Sequence, residues 1–215
     1  SSAGMMRASL AEAVHHCRYR SVFGDKLIEQ PLMTRVLGDL ALDVAGATAL
    51  SIRLARAFDR AHSDPAEAAY ARLMTPVVKY WVCKIAPSVI YEAMECLGGN
   101  GYIEERALAR HYREAPVNAI WEGSGNVMAL DVLRVLSRGP ELFDAVLSGL
   151  VKDLGSAGGR TADVLKACMA VCQTDQAGGR MLTEQLALAA AGAELTRMGA
   201  GQIAEAFVET RLGGA

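Results

Sequence analysis

Apolar residues recur three or four positions apart along most of this chain, and no stretch alternates strictly between apolar and polar. The pattern therefore predicts helices rather than strands. A first helix is expected over residues 5–22, ending ahead of Gly24, which suits a left-handed C-terminal stop. Pro31, favourable at a first helical position, opens a long second helix. Its apolar positions Leu32, Val36, Leu40, Val44, Ala47, Leu50, Leu54 and Phe58 make one stripe. Asp64-Pro65 supplies an N-cap and an N1 proline for a third helix that reaches Leu97. Pro76 and Pro87 fall inside it, and each removes one backbone hydrogen bond, so a kink or break is expected at each. Gly98-Gly99-Asn100-Gly101 ends that helix.

A shorter helix is expected over 104–114, stopped at Pro116. An apolar approach through Ile120 and Trp121 then meets the turn Glu122-Gly123-Ser124-Gly125-Asn126. Ser124 is a good N-cap for the helix that carries Val127, Leu130, Val132, Leu133 and Leu136. Gly139-Pro140 is the one internal boundary, dividing 1–138 from 139–215, and helical stretches follow at about 141–154, 160–173 and 177–213. Three long stripes plus the helix after Ser124 are most simply buried in an antiparallel four-helix bundle. The expected fold class is all-α, with an extra C-terminal helical segment.

Composition narrows the function. Of 215 residues, 52% are apolar and 21% charged, which is enough for a sizeable core and excludes a disordered chain. A net charge of −2 argues against a polyanion binder working by bulk electrostatics. The cysteine count is five, with no C-x-x-C pair, so neither a disulfide framework nor a zinc ribbon fits. Reduced thiols and a cytoplasmic location are the default expectation. No apolar run reaches the roughly 18 residues of a membrane span, so no membrane partner is expected. The chain opens Ser-Ser-Ala-Gly and passes directly into residues that read as mid-helix, from which we expect a piece of a longer chain.

Glu122 is the sharpest chemical candidate. A carboxylate set between Ile120-Trp121 and a glycine turn is expected to sit against a hydrophobic wall, where desolvation raises its pKa toward that of a useful carbon-acid base. The plainer alternative is a surface glutamate near a helix start, favoured by the macrodipole. Gly98-Gly99-Asn100-Gly101 offers free backbone N–H groups to a phosphate, or is simply a helix stop. Arg20 beside Tyr19 and Phe23 suits a pyrophosphate next to a stacked ring, or is a solvated helix end. His15 and His16 point about 100° apart on a helix, and Cys168 with Cys172 lacks further ligands, so no metal site is expected.

Three of these motifs together resemble the acyl-CoA dehydrogenase family: Arg20-x-x-Phe23-Gly24, Glu95-x-x-Gly98-Gly99-Asn100-Gly101-Tyr102 and Trp121-Glu122-Gly123-Ser124-Gly125-Asn126. Residues 5–136 resemble that family's C-terminal helical domain throughout. Phrases such as Tyr112-Arg113-Glu114-Ala115-Pro116-Val117-Asn118 look like its DNA-alkylation-response (AidB-like) branch, which carries an extra C-terminal segment. The resemblance implies that Glu122 removes the α-proton of an acyl-CoA while the β-hydride passes to FAD. It implies that Arg20 contacts the pyrophosphate of a neighbouring subunit's FAD, with Phe23 beside the adenine portion, and that Gly98 and Gly99 make backbone contacts to that cofactor. Ser124 stands where the family usually has Thr, and Asn126 where it often has Gln, both still able to hydrogen-bond. Glu95 stands where many members have Gln, and an acid cannot donate to a phosphate at neutral pH. Trp121 replaces a common Tyr and should reshape the acyl pocket.

The resemblance also implies a homo-oligomer, a dimer or tetramer, and a chain inactive without its companion domains. Its alternative is a flavoprotein that binds or protects DNA with little dehydrogenase turnover, and a third reading is a purely structural half. Residues 141–215 hold six Lys and Arg against nine Asp and Glu, a net of −3, which disfavours a DNA clamp.

Overall fold

The computed structural model describes residues 1–213 and is almost wholly helical. The elements run α1 (Ser2–Tyr19), β1 (Ser21–Val22), β2 (Asp25–Lys26), α2 (Pro31–Arg60), α3 (Pro65–Leu97), α4 (Gly99–Tyr102), α5 (Ala107–Asn118) and α6 (Gly125–Arg138). They continue with α7 (Glu141–Leu154), α8 (Gly158–Thr174), α9 (Gly179–Arg197) and α10 (Gln202–Leu212). The all-α expectation is borne out. The chain forms two compact units, one from residues 1–45 and 82–121, the other from 46–81 and 122 onward.

In the first unit α1 packs on α5. Met6, Ala13 and Cys17 on α1 are fully buried, as is Ala115 on α5. Ser9, itself fully buried, lies 3.1 Å from His111 Nδ1, and the Ser2 hydroxyl reaches Cys83 Sγ at 3.5 Å. The first helix ends earlier than the pattern predicts. Arg20 turns extended, and Ser21–Val22 pairs antiparallel with Asp25–Lys26. Gly24 is left-handed (φ +97°), but as a residue of that hairpin turn rather than as a helix stop. Two-residue strands are too short to show any alternation.

The second unit is organised around α9, which packs against α6, α7, α8 and α10. Every residue from Leu186 through Leu195 is buried. An Ala-rich helix can be covered on all sides because its small side chains let neighbouring helices approach closely. Phe207 of α10 is fully buried and meets Trp81 edge-on, with ring centroids 6.5 Å apart.

Three helix expectations need correction. Neither Pro76 nor Pro87 breaks α3, and Pro116 lies inside α5. A helix-interior proline costs about 3 kcal/mol. Burying one large apolar side chain returns about 1.5–3 kcal/mol. Val77, Val78, Val89 and Ile90, which flank the α3 prolines, are all buried. The long stripe on α2 is buried through Leu40, Val44, Ala47 and Leu50, but Leu32 (85%) and Phe58 (56%) at its ends are exposed. The expected final helix over 177–213 is two helices, parted at Gly199 and Gly201, both with positive φ. Asp64 does cap α3, its Oδ1 accepting from Ala66 N–H at 2.9 Å.

Candidate functional site

In the first unit, the end of α1 and the turn after α3 open onto one cleft of about 540 Å³. Arg20, Tyr19, His15 and His16 line it from the α1 side, Leu97 and Asn100 from the glycine turn, and Arg106 and Glu105 from the approach to α5. Sequence distance therefore closes: Arg20 and the Gly98-Gly99 turn border the same space. Gly98 holds φ +58° and ψ −139°, a conformation that a Cβ would resist, and this releases α3 into the short α4. Gly101 packs so closely on the Met94 carbonyl that no side chain fits.

Two guanidiniums, Arg20 and Arg106, and two carboxylates, Glu12 and Glu105, line the cleft. Neither the Arg20 nor the Arg106 guanidinium has an ion-pair partner among the described residues. His16 is held below the ordinary histidine value, first by partial burial and then by the charges of Arg20, His15 and Arg106. Two unpaired guanidiniums facing one cavity suit a dianionic phosphate group. His16 on α1 stands one helical turn before Arg20, with His15 beside it, whereas Asn100 and Arg106 join them only through the fold.

Phe23 and Glu95 are placed elsewhere in the same unit. Phe23 occupies the hairpin turn at φ +56° with its ring 96% exposed. Glu95 is exposed and hydrogen-bonded to the Tyr91 hydroxyl, which pushes the Tyr91 pKa up. The Tyr91 ring in turn lies 5.8 Å from that of Tyr112.

In the second unit, Glu122 is at φ +56° and Gly123 at φ +119°, so two consecutive residues turn through the left-handed region before α6 begins. The φ of Gly123 is one that side chains rarely adopt, and a Cβ there would also have to displace the Met128 methyl group. Ser124 is the N-cap residue of α6, as expected, though its hydroxyl makes no capping bond. Asn126 lies exposed in the first turn. The Lys79 ammonium of α3 donates a hydrogen bond to the Gly123 carbonyl. Lys79 carries no motif signal, because its partner lies 44 residues away and is a backbone atom.

One site expectation is corrected. Glu122 is exposed, and Ile120 (65%) and Trp121 (54%) before it are exposed too, so these residues build no burying wall around the carboxylate. They form an uncovered apolar approach instead.

The geometry can be set beside known proteins. The family model described as the acyl-CoA dehydrogenase C-terminal domain matches residues 1–137. AidB of Escherichia coli (strain K12) is 43% identical over 211 residues, which cover 98% of this chain and 39% of that protein. The solved structure of Caenorhabditis elegans ACDH-11 in complex with C11-CoA superposes with a TM-score of 0.86 at 27% identity, over 97% of this chain and 40% of that one. An acyl-CoA dehydrogenase of Bacillus anthracis complexed with FAD shares the fold, with a TM-score of 0.70 at 18% identity, over 97% of this chain and 41% of that one. This chain belongs to the acyl-CoA dehydrogenase family, whose C-terminal domain model matches its residues 1–137. The family is one of FAD-dependent oxidoreductases. The chain spans about 40% of the length of these relatives.

Proposed function

We propose that this chain is the C-terminal part of a flavin-dependent acyl-CoA dehydrogenase in which Glu122 is the base. The observation that carries the reading is the left-handed backbone at Glu122, followed by a left-handed glycine, and the motif resemblance assigns the family's catalytic carboxylate to this position. Strained backbone of this kind persists where the surroundings over-determine it, and such places cluster at functional sites. A turn of this shape lifts the carboxylate clear of the helix that follows. An acyl-CoA laid across Ile120 and Trp121 would present its α-carbon to the Glu122 oxygens, and cover from other parts of the protein would supply the desolvation this chain lacks.

FAD fits the cleft in the first unit. Arg20 and Arg106 line it without an ion-pair partner among the described residues. The Gly98 N–H is already committed to the Glu95 carbonyl at 3.0 Å, so the guanidiniums rather than that amide would meet a pyrophosphate. Phe23 and Tyr19, both exposed, would meet the cofactor's aromatic portion. Ser124 and Asn126, exposed at the α6 start, keep the hydrogen-bonding groups that the resemblance assigns to FAD. When bound, FAD supplies the acceptor for the β-hydride. Glu122 takes the α-proton onto a carboxylate oxygen, and the product is the α,β-unsaturated thioester. We read Arg20 as serving a second copy's cofactor, in a dimer or tetramer. Leu32 and Phe23 are exposed apolar side chains of the kind a subunit contact would cover. The DNA-protecting alternative gains nothing from charge, given the net of −3 over residues 141–215.

The test is Glu122→Gln in the full-length protein. The amide is isosteric but accepts no proton, so FAD stays bound while acyl-CoA-driven bleaching of the flavin slows by about 10²–10⁴. Bleaching at the parental rate would remove Glu122 from the role.

A further inference from the structure

Glu122 and Gly123 both stand in the left-handed region, a conformation that is unfavourable for a non-glycine residue and persists only under an outside restraint. The α6 cap does not supply one, because the Ser124 hydroxyl makes no capping bond. The restraint comes from α3. Lys79 is half-buried, its ammonium has no ion-pair partner among the described residues, and it donates to the Gly123 carbonyl, in the peptide that joins Gly123 to Ser124 one residue beyond Glu122. A hydrogen bond from a charged donor is about twice as strong as a neutral one.

The rest of the neighbourhood keeps Lys79 on that acceptor. Tyr80 beside it receives a hydrogen bond from Arg180 at 3.2 Å, and Trp81 is buried against Phe207, so the α3 segment is fixed on both sides. Arg72, lower on α3, reaches Asp131 of α6 at 3.9 Å and ties the following helix to the same support. Gly123, at φ +119°, holds a backbone conformation that residues with a side chain rarely adopt.

We propose that Lys79 is the positioning residue of the catalytic turn: its ammonium, bound to the Gly123 carbonyl, fixes the left-handed Glu122 so that the carboxylate stands at one place above α6. The inference rests on the reading of Glu122 as the base. Lys79 itself touches neither substrate nor cofactor. Its contribution is geometric, and a misplacement of about 1 Å in a reacting group is enough to cost about 10²-fold in rate.

The experiment uses full-length flavoprotein carrying Lys79→Met, Lys79→Arg or Glu122→Gln. Lys79→Met keeps the apolar stem and removes the donor. It is expected to slow flavin reduction by butyryl-CoA or a longer acyl-CoA by about 10- to 100-fold. KM should stay within about twofold, FAD content should be unchanged, and deuterium uptake should rise in residues 120–126 while other peptides keep their protection. Lys79→Arg retains a charged donor and should recover most of the rate and the protection. Three results overturn the proposal. In the first, Glu122→Gln abolishes reduction but Lys79→Met reduces at the parental rate, so the base stands and its positioning does not. In the second, Glu122→Gln reduces normally, and the reading beneath the inference fails with it. In the third, Lys79→Met loses activity only in step with global unfolding measured in urea, and Lys79→Arg restores neither, which leaves Lys79 a purely structural residue.

Discussion

Phe23 and Glu122 are the non-glycine residues with positive φ among the described residues, and both belong to motifs that carry the family resemblance. Neither conformation is demanded by packing of its own side chain, since both side chains are exposed. A left-handed backbone is uncommon outside Gly, Asn and Asp, so a phenylalanine there is a local cost that the fold bears. The hairpin it closes prefers Asn-Gly, and the second of these two residues is already present as Gly24. Phe23→Asn should therefore stabilise this chain by about 1 kcal/mol, read from the urea midpoint, because it relieves strain and gives up no burial. Full-length protein carrying the same change should shed FAD more readily, since the exposed ring is what we assign to the cofactor. An unchanged or lowered urea midpoint would show that Phe23 is unstrained.

At the scale of elements, α9 shows where the sequence was legible and where it was not. Apolar spacing of three and four predicted helices throughout, and α2 opens at Pro31 as expected because proline's fixed φ suits a first helical residue. What periodicity does not carry is the strength of tertiary packing, which holds α3 together through two prolines. It also misses breaks of three or four residues, such as the hairpin after Arg20 and the gap at Gly199–Gly201. The candidate site divides in the same way. Arg20 and the Gly98-Gly99 turn were found as motifs and do border one cleft, whereas Lys79 acts on a backbone carbonyl and Arg106 joins by proximity alone. Nor does the pattern reveal that Glu194, in the fully buried stretch of α9, is a charged residue with a job. Arg197 clamps it, Nε lying 2.7 Å from one oxygen, and Arg56 of α2 approaches at 3.9 Å with its own Nε buried and unpartnered. Glu194, with 6% of its side chain exposed, is the anion between two guanidiniums. Deleting Glu194 leaves Arg56 and Arg197, with 29% and 36% of their side chains exposed, without their anion, and a lost hydrogen bond to a charged group costs about 1.5–3 kcal/mol. Glu194→Ala is expected to lower stability in urea by that order, and a loss under about 1 kcal/mol would mean the cluster is already hydrated.

For the whole molecule, charge bears on stability more than on partners. The net of −2 is small, and the groups that respond near neutral pH are histidines of the first unit. His111 is held below its ordinary value, chiefly by burial and then by Arg110, with Glu12 opposing, and His16 is lowered by burial together with Arg20, His15 and Arg106. A histidine whose folded pKa lies below the unfolded 6.5 binds fewer protons in the native state than in the unfolded one. Stability therefore rises with pH through that window. It is complete above about 6.5, the unfolded value, and is lost as the pH falls below it. We expect the urea midpoint of this chain to hold between pH 8 and 7 and to decline from pH 6.5 downward. Replacing His111 with Asn, whose amide can still meet the buried Ser9 hydroxyl, should flatten part of that decline. A midpoint that stays level to pH 5 would contradict both lowered values. The two histidines should then part company once a phosphate occupies the cleft. An anion beside Arg20 and Arg106 favours the charged form of His16, so pyrophosphate should shrink the acid loss of the His111→Asn chain, while leaving the His111 contribution in the parent. The acid slope thus reports on anion binding beside Arg20 and Arg106 before any flavin is added.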